Sequence, residues 1–258
     1  MSVYNGADTV AKAIESVLGQ SFADFEFIII DDGSNDKSPE IIANFAKNDP
    51  RIRIVTQKNE GLTRALNRGL ETCSAPLVAR ADADDHSLPD RLERQVQFMN
   101  EHPEVVLLGS GAHLMNAAGE RYQMAQAPTD DAAITKALRK RNIFFHSAMM
   151  MRTEAVRKAG GYDPEFIRSQ DYDLWLRLLD EGEGANLSEA LVELDQGPER
   201  VSRKQARKQV TASIKAKWKN RKGRILKGTP PHIFWWQLRG YIVPPGTLNA
   251  IKAKRKGS

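Results

Sequence analysis

The length of the chain, 258 residues, suits one large domain or one domain with an appendage. Cys73 is the only cysteine, which excludes intramolecular disulfides and multi-cysteine zinc sites and is typical of a reducing cytoplasm. No run of about 18 apolar residues and no signal peptide is visible, so we expect no transmembrane helix. The net charge of +5 conceals a division, because residues 200–258 hold 17 basic and no acidic residues. We therefore predict an acidic body over residues 1–199 and a basic tail over residues 200–258.

Short apolar runs alternate with helical patterns of about a dozen residues throughout the first half of the chain. The pattern predicts helices from 8 or 9 to about 20, from 38 to about 46, at 62–72 and from 89 to about 100, and strands at 2–4, 25–30, 52–55, 77–79 and 105–108. This alternation predicts an α/β fold with a doubly wound, mostly parallel sheet and helices on both faces. No GxGxxG follows a strand and no GxxxxGK[ST] occurs, which disfavours dinucleotide-binding and P-loop sites.

The second half of the chain has a less regular pattern. It predicts a hairpin with strands at 112–115 and 121–124, a strand at 143–152, a closing strand at 190–194, and helices at 129–139, 153–159 and 172–179. The basic tail then predicts a helix at 201–222 and contains the aromatic segment HIFWWQLRGYIV at 232–243.

Three carboxylates follow the fourth predicted strand within four positions: Asp82, Asp84 and Asp85. Aspartate disfavours strand interiors, so we expect these residues in the loop at the carboxyl end of the strand, where ligands of α/β sheets gather. Clustered carboxylates repel one another, and a bound cation relieves that repulsion. The loop therefore indicates a metal that carries a phosphorylated ligand, and the alternative is a solvated acidic turn.

Motifs spread over about residues 1–203 make the sequence similar to family 2 glycosyltransferases of the GT-A fold. They are SVYNG at 2–6, DDGS at 31–34, the helix containing Asn67, ADADD at 81–85 with LPDRL at 88–92, HSAMMMR at 146–152, GGYD at 160–163 and QDYDLWLRL at 170–178. Each motif is weak alone, whereas their order and spacing together are specific. The resemblance implies transfer of a sugar, with inversion at the anomeric carbon, from a nucleotide diphosphate donor that is usually UDP-linked.

The resemblance also implies which residues bind the donor. Tyr4 would stack on the base, since an aromatic face suits a flat heterocycle. Asp31 or Asp32 would accept a hydrogen bond from the imide N–H of uracil, although the pair can also be a helix-capping turn. Asn67 would belong to the donor site, and Asp82 would contact the ribose side of the donor.

For the chemistry, the resemblance implies that Asp84 binds Mg²⁺ or Mn²⁺ bridging the diphosphate and that Asp171 takes the proton from the acceptor hydroxyl. Asp171 can also cap its helix, Asp173 is a rival base, and either Asp173 or His146 can contact the diphosphate or the acceptor. His146 is alternatively a hydrogen-bonded core histidine. We expect Tyr162 and Trp175 in the core, and Arg91 and Arg94 in ion pairs on a helix surface.

Two departures from the family pattern stand out. Family members begin several apolar residues upstream of SVYNG, so we expect the strand at Ser2-Val3-Tyr4 to continue backwards beyond Met1. The family also carries a histidine before a VSR-like stretch, whereas DQGPERVSR at 195–203 has none. This absence favours, as one alternative, a nucleotide-sugar-binding homologue with little activity.

The basic tail decides the expected partners and location. A lipid-linked saccharide acceptor in bacterial surface polysaccharide assembly suits a tail that attaches to the anionic inner face of the plasma membrane, so we expect a cytoplasmic, peripherally attached enzyme. A nucleic-acid-binding protein is the alternative from another class, but no helix-turn-helix, zinc-finger or RNA-recognition signature occurs.

A sugar-phosphate nucleotidyltransferase would need a basic glycine-rich loop after the first strand, which Gly6-Ala7-Asp8 does not supply.

Overall fold

The computed structural model of the chain describes residues 1–116, 118–195 and 206–230. The aromatic segment predicted to meet the membrane, at 232–243, lies outside the described residues. The first half contains β1 (Ser2–Val3), α1 (Val10–Leu18), β2 (Phe27–Asp31), α2 (Ser38–Asn48), β3 (Ile52–Thr56), α3 (Leu62–Thr72), β4 (Leu77–Ala79), β5 (His86–Ser87) and α4 (Arg91–Glu101). The second half contains β6 (Val105–Met115), β7 (Arg121–Ala125), α5 (Asp131–Leu138), a 3₁₀ turn (His146–Ala148), β8 (Met150–Arg152), α6 (Thr153–Lys158), α7 (Gln170–Leu178), β9 (Glu183–Asp195) and α8 (Ala206–Lys219).

The strands form two sheets. The first sheet is parallel with the order β1-β2-β3, and the second is mixed, with the order β4-β8-β6-β9-β5 and β7 paired to β6. A parallel bridge between Ser2 and Asp82 joins β1 to the loop that follows β4. The predicted α/β alternation and the hairpin are confirmed. Because of this bridge, the carboxyl ends of β1, β2 and β4 lie on the same side of the molecule.

Several strand predictions are wrong in extent, among them the closing strand expected at 190–194, which in the structure is the longer β9 (Glu183–Asp195). The run at 143–152 was expected to be one strand, but His146–Ala148 forms a 3₁₀ turn and only Met150–Arg152 pairs with β4 and β6. The polar side chain of Ser147 donates to Asp85 at 2.6 Å, an interaction that turns this part of the run toward the carboxylate loop. The strands predicted at 105–108 and 112–115 are one continuous strand, β6.

The largest apolar cluster lies between the second sheet and helices α5 to α8. Trp175 and Tyr172 on α7 are fully buried in it, together with Ala216 on α8 and with Ile225 and Leu226 just after α8. Complete burial of a large apolar side chain contributes about 1.5–3 kcal/mol. The described part of the predicted basic tail is therefore packed against the body of the protein.

An apolar cavity of about 670 Å³ lies between β2 and β4, at the amino-terminal end of β1. Ile28, Ile30, Val78 and Ala79 contribute to its wall, and the amino group of Met1 donates to the carbonyl of Ile28 at 2.8 Å. None of the helices within the described ranges combines the length and apolar character that crossing a bilayer requires.

Candidate active site

The carboxylate loop begins where β4 ends and presents its three aspartates to different environments. Asp84 is exposed, whereas Asp85 is buried and accepts the hydrogen bond from Ser147. Asp82 is partly buried and forms an ion pair with the guanidinium of Arg80. The loop position expected from the sequence is confirmed. The three carboxylates therefore do not share one role: Asp85 anchors the loop internally, and Asp84 faces solvent.

Arg91 lies beneath this loop, and its predicted position on the helix surface is wrong. The side chain is 2% exposed and donates to the carbonyl oxygen of Arg80 at 2.8 Å and to Oγ of Ser87 at 3.0 Å. Burial lowers the pKa of this guanidinium to about 10. Arg94, one turn further along α4, forms the expected surface ion pairs with Asp90 and Glu189. Gln95 lies four residues further along α4, on the same face of the helix, and is also buried. This face of α4 therefore points into the protein.

The paired aspartates at the end of β2 hold different partners. Asp32 accepts hydrogen bonds from Nε2 of Gln57 at 2.8 Å and from the backbone N–H groups of Glu60 and Gly61, each at 2.9 Å. Both of its oxygens thus bind the segment that leads into α3. Asp31 accepts through Oδ1 from the backbone N–H of Ser34 at 3.0 Å. Asp32 therefore has a structural role at the start of α3, in agreement with the capping alternative.

Tyr4 follows β1 and is 51% exposed. Its neighbour Asn5 has a positive φ of 52° and exchanges hydrogen bonds with the loop after β2, to Oγ of Ser34 at 3.0 Å and from the backbone N–H of Asn35 at 2.9 Å. These bonds fix the loop that carries Tyr4 beside the loop that begins at Asp31.

The side chain of Asn67 on α3 is paired with the backbone of Tyr162. Its Nδ2 donates to the carbonyl of Tyr162 at 2.7 Å, and its Oδ1 accepts from the N–H of Tyr162 at 2.8 Å. A Cβ atom at Gly161, where φ is +65°, would lie 2.8 Å from Oδ1 of Asn67. Glycine at this position therefore permits both the turn and the close approach of Asn67.

His146 occupies an aromatic environment. Its Nε2 lies 2.8 Å from the hydroxyl of Tyr162, and its ring centroid is 5.8 Å from that of Trp175. Burial lowers the pKa of the imidazole to about 3, and the nearby positive charge of Arg80 acts in the same direction. The ring is therefore neutral at physiological pH. Tyr162 and Trp175 are buried, which confirms their predicted place in the core.

Asp171 and Asp173 lie in the first turn of α7 in contrasting surroundings. Asp171 is half-buried and accepts a hydrogen bond from Nδ2 of Asn142 at 2.7 Å. Burial raises the pKa of its carboxyl group, and the charge of Asp82 adds to this effect, which is opposed by hydrogen bonds to the carboxylate. Asp173 is fully buried between Nη2 of Arg177, at 2.7 Å, and Nδ2 of Asn220, at 2.8 Å. Ser169 is the residue that caps α7, so Asp171 lies inside the helix.

Two residues of the site were not singled out from the sequence. Arg80 is the cation between β4 and the carboxylate loop, and an arginine that directly precedes an acidic loop is a signal that could have revealed it. Asn142 precedes Asp171 by 29 residues in a loop without a motif, so no pattern in the sequence indicates their contact.

The family model described as glycosyl transferase family 2 matches residues 1–160. The chain belongs to glycosyltransferase family 2. It is 35% identical to the O-antigen biosynthesis glycosyltransferase WbnJ of Escherichia coli, over 74% of this chain and 76% of that protein. It is 30% identical to the UDP-Gal:alpha-D-GlcNAc-diphosphoundecaprenol beta-1,3-galactosyltransferase of Escherichia coli, over 81% of this chain and 76% of that protein.

A solved structure of similar fold confirms the GT-A fold predicted for this glycosyltransferase. The mannosyltransferase PcManGT of Pyrobaculum calidifontis, in complex with GDP-Man and Mn²⁺, superposes with a TM-score of 0.65 at 17% identity. The superposition covers 90% of this chain and 65% of that protein. At this identity the comparison establishes the GT-A fold alone.

Proposed function

We propose that this chain is an inverting, metal-dependent glycosyltransferase that transfers a sugar from a UDP-sugar to an acceptor hydroxyl in bacterial surface polysaccharide assembly. The observation that carries this proposal is the carboxylate loop at the carboxyl end of β4, with Asp84 exposed and Asp82 bridged to β1, in a chain that belongs to glycosyltransferase family 2. Asp171, whose carboxyl pKa is raised by burial, is proposed to supply the base of the same site. The names of the two Escherichia coli relatives support the UDP-linked donor and the polysaccharide pathway.

The donor is proposed to bind at the joined carboxyl ends of β1, β2 and β4. The exposed ring of Tyr4 offers a face for the base, and Asp31 is the better acceptor for the imide N–H because Asp32 holds the start of α3 with both oxygens. Asp82, which Ser2 brings beside β1, is proposed to face the ribose. Asn67 contributes indirectly, because its amide organises the turn that carries Tyr162.

Asp84 is proposed to hold Mg²⁺ or Mn²⁺ together with the donor. Within the described ranges, no three His, Cys, Asp or Glu side chains are grouped so that they could bind a metal by themselves. This finding fits an ion of the kind that is held by one or two carboxylates and completed by substrate phosphates. The exposed carboxylate of Asp84 suits that arrangement. Such an ion would stabilise the negative charge that develops on the departing diphosphate.

Asp171 is proposed to accept the proton of the acceptor hydroxyl as that oxygen attacks the anomeric carbon and UDP departs. A direct displacement of this kind inverts the anomeric centre. The competing base, Asp173, is fully buried and bound by Arg177 and Asn220, so that its carboxylate has no access to an acceptor. His146 is proposed to support the site as a neutral ring that fixes the hydroxyl of Tyr162.

The acceptor is proposed to be a saccharide carried on a lipid diphosphate, reached from a membrane surface to which the basic tail binds. The named acceptor of the galactosyltransferase relative supports this class, and the tail has no acidic residue to oppose an anionic surface.

The test measures UDP release from UDP-galactose, UDP-glucose and UDP-N-acetylglucosamine with Mn²⁺, with and without a lipid-diphosphate-linked N-acetylglucosamine. We expect release that needs Mn²⁺ and increases with acceptor. Thermal stabilisation by UDP and Mn²⁺ without any release would instead identify a nucleotide-sugar-binding homologue. Stabilisation by GDP-mannose alone would overturn the donor class.

A further inference from the structure

The amide of Asn142 has a fixed orientation between two partners. Its Oδ1 accepts from the backbone N–H of Phe144 at 3.3 Å, and its Nδ2 donates to Oδ2 of Asp171 at 2.7 Å. Rotation of the amide by 180° would place Oδ1 against a carboxylate oxygen and the NH₂ group against an N–H, so that both contacts would become repulsive. Asn142 therefore acts as a hydrogen-bond donor toward Asp171.

The loop that carries Asn142 is held on three sides. The hydroxyl of Tyr172 donates to the carbonyl of Leu138 at 2.5 Å, and Nε of Arg139 donates to the carbonyl of Ile225 at 2.8 Å. On α8, the fully buried ammonium group of Lys217 donates to the carbonyl of Lys140 at 2.7 Å. These bonds hold the segment at residues 138–140, which directly precedes Asn142, and so restrict the position of the Asn142 amide.

From this geometry we infer that Asn142 is a positioning residue for the proposed base: it fixes the rotamer of Asp171 by occupying Oδ2, which leaves Oδ1 to receive the acceptor proton. This inference rests on the proposed function of Asp171. Small displacements of a catalytic group cost up to about 100-fold in rate, so loss of this donor should have a measurable effect.

The groups around Asp171 have opposing effects on its pKa, so the contribution of Asn142 can be measured by titrating Asp171. Burial and the charge of Asp82 favour the protonated carboxyl group of Asp171. The phenol of Tyr162, whose pKa is raised by burial and by the charge of Asp171, is neutral. Asn142 and the backbone N–H groups of Asp171 and Tyr172 favour the carboxylate. On the same helix, Asp173 and Arg177 neutralise each other. Removal of the Asn142 donor must therefore raise the pKa of Asp171.

The chain offers a matched control for this donor. Asn220 makes the same kind of amide-to-carboxylate bond on the same helix, to Asp173 at 2.8 Å. Asn142→Ala and Asn220→Ala thus each remove one amide donor from α7. Only the first change removes it from the proposed base.

The experiment has one reading without substrate and one with it. Titration of the Asp171 carboxyl carbon by NMR should give a higher pKa in Asn142→Ala than in wild type and an unchanged pKa in Asn220→Ala. In Mn²⁺-dependent UDP release, Asn142→Ala should lose about 10- to 100-fold in kcat with little change in KM. The acidic limb of its profile of kcat against pH should move to higher pH. Asn142→Asp, which keeps the acceptor for Phe144, should move that limb further, because it places a second carboxylate against Asp171.

An unchanged pKa of Asp171 in both Asn142 variants would overturn the inference, whatever their stability. If the pKa rises but Asp171→Asn still turns over, the assignment of the base fails and the positioning role fails with it. If Asp171→Asn is inactive and the Asn142 variants keep the kcat and the pH profile of wild type, the proposed function survives and only this inference is wrong.

Discussion

Arg91 donates a hydrogen bond through Nη2 to the main-chain carbonyl of Arg80 at 2.8 Å, which ties the first turn of α4 to the start of the carboxylate loop. The same guanidinium donates to Ser87 and Gln95. A buried cation thus supports the loop that is proposed to bind the donor and the metal.

Arg91→Met is expected to lower the free energy of unfolding by about 3–5 kcal/mol, because it leaves several buried acceptors without a donor. Chemical denaturation measures this change. Arg94→Met on the exposed face of the same helix is the control and should stay within about 1 kcal/mol of wild type. Equal effects of the two substitutions would show that the buried network adds no stability.

Asp84→Asn is expected to abolish the added thermal stabilisation that Mn²⁺ confers in the presence of UDP, since the amide is a poor ligand for a hard cation. The melting temperature without ligand should stay near that of wild type because Asp84 is exposed. Asp90→Asn, a change of the same kind at the end of this loop, should keep the metal response. A wild-type response in Asp84→Asn would assign the metal to another residue.

Asp171→Asn is expected to reduce turnover by on the order of 10²–10⁴ while UDP affinity is kept. In wild type the raised pKa of Asp171 places the acidic limb of the kcat profile above the ordinary range of aspartate, and activity should rise with pH as this carboxyl group ionises. Asp173→Asn should chiefly lower stability, since it leaves Arg177 without its buried partner. If Asp173→Asn lost turnover and Asp171→Asn did not, Asp173 would be the base and Asp171 the structural residue.

Tyr4→Ala is expected to weaken UDP binding by about 1–3 kcal/mol, the range for stacking of a base on an aromatic side chain. Isothermal titration calorimetry of UDP with Mn²⁺ measures it. Tyr122 on β7 is similarly exposed, at 52% against 51% for Tyr4, so Tyr122→Ala controls for the loss of a surface aromatic ring. An unchanged affinity in Tyr4→Ala would place the base elsewhere.

Flotation with lipid vesicles tests whether the basic tail binds a membrane. The chain should float with anionic phosphatidylglycerol vesicles, and less so in high salt, whereas a chain shortened to end at Pro230 should bind more weakly. Shortening to residue 199 would be a poor comparison, because it also removes Ala216, Ile225 and Leu226 from the core. Equal flotation of the full-length and shortened chains would remove residues 231–258 from the membrane interaction.

The sequence predicts most of the alternating framework because buried strands and amphipathic helices have different apolar periods. It also predicts the loop that holds Asp84 and the loop that follows β2, since aspartate disfavours strand interiors, although Asp31 itself is the last residue of β2. Arg91 could not be placed in this way: its buried neighbour Gln95 is also polar, so the helix pattern assigns both to the surface. The contact between Asn142 and Asp171 depends on how a loop packs against the start of a distant helix, which no local pattern encodes.

The burial of Ile225 and Leu226 in the same apolar cluster as α7 has a consequence for synthesis on the ribosome. Helix α7 is complete at residue 178, but these two members of the cluster are made almost fifty positions later. At about 5–20 residues per second, the cluster around α7 therefore stays incomplete for roughly 2 to 10 s. During that interval α7 is an attractive site for chaperones and for aggregation.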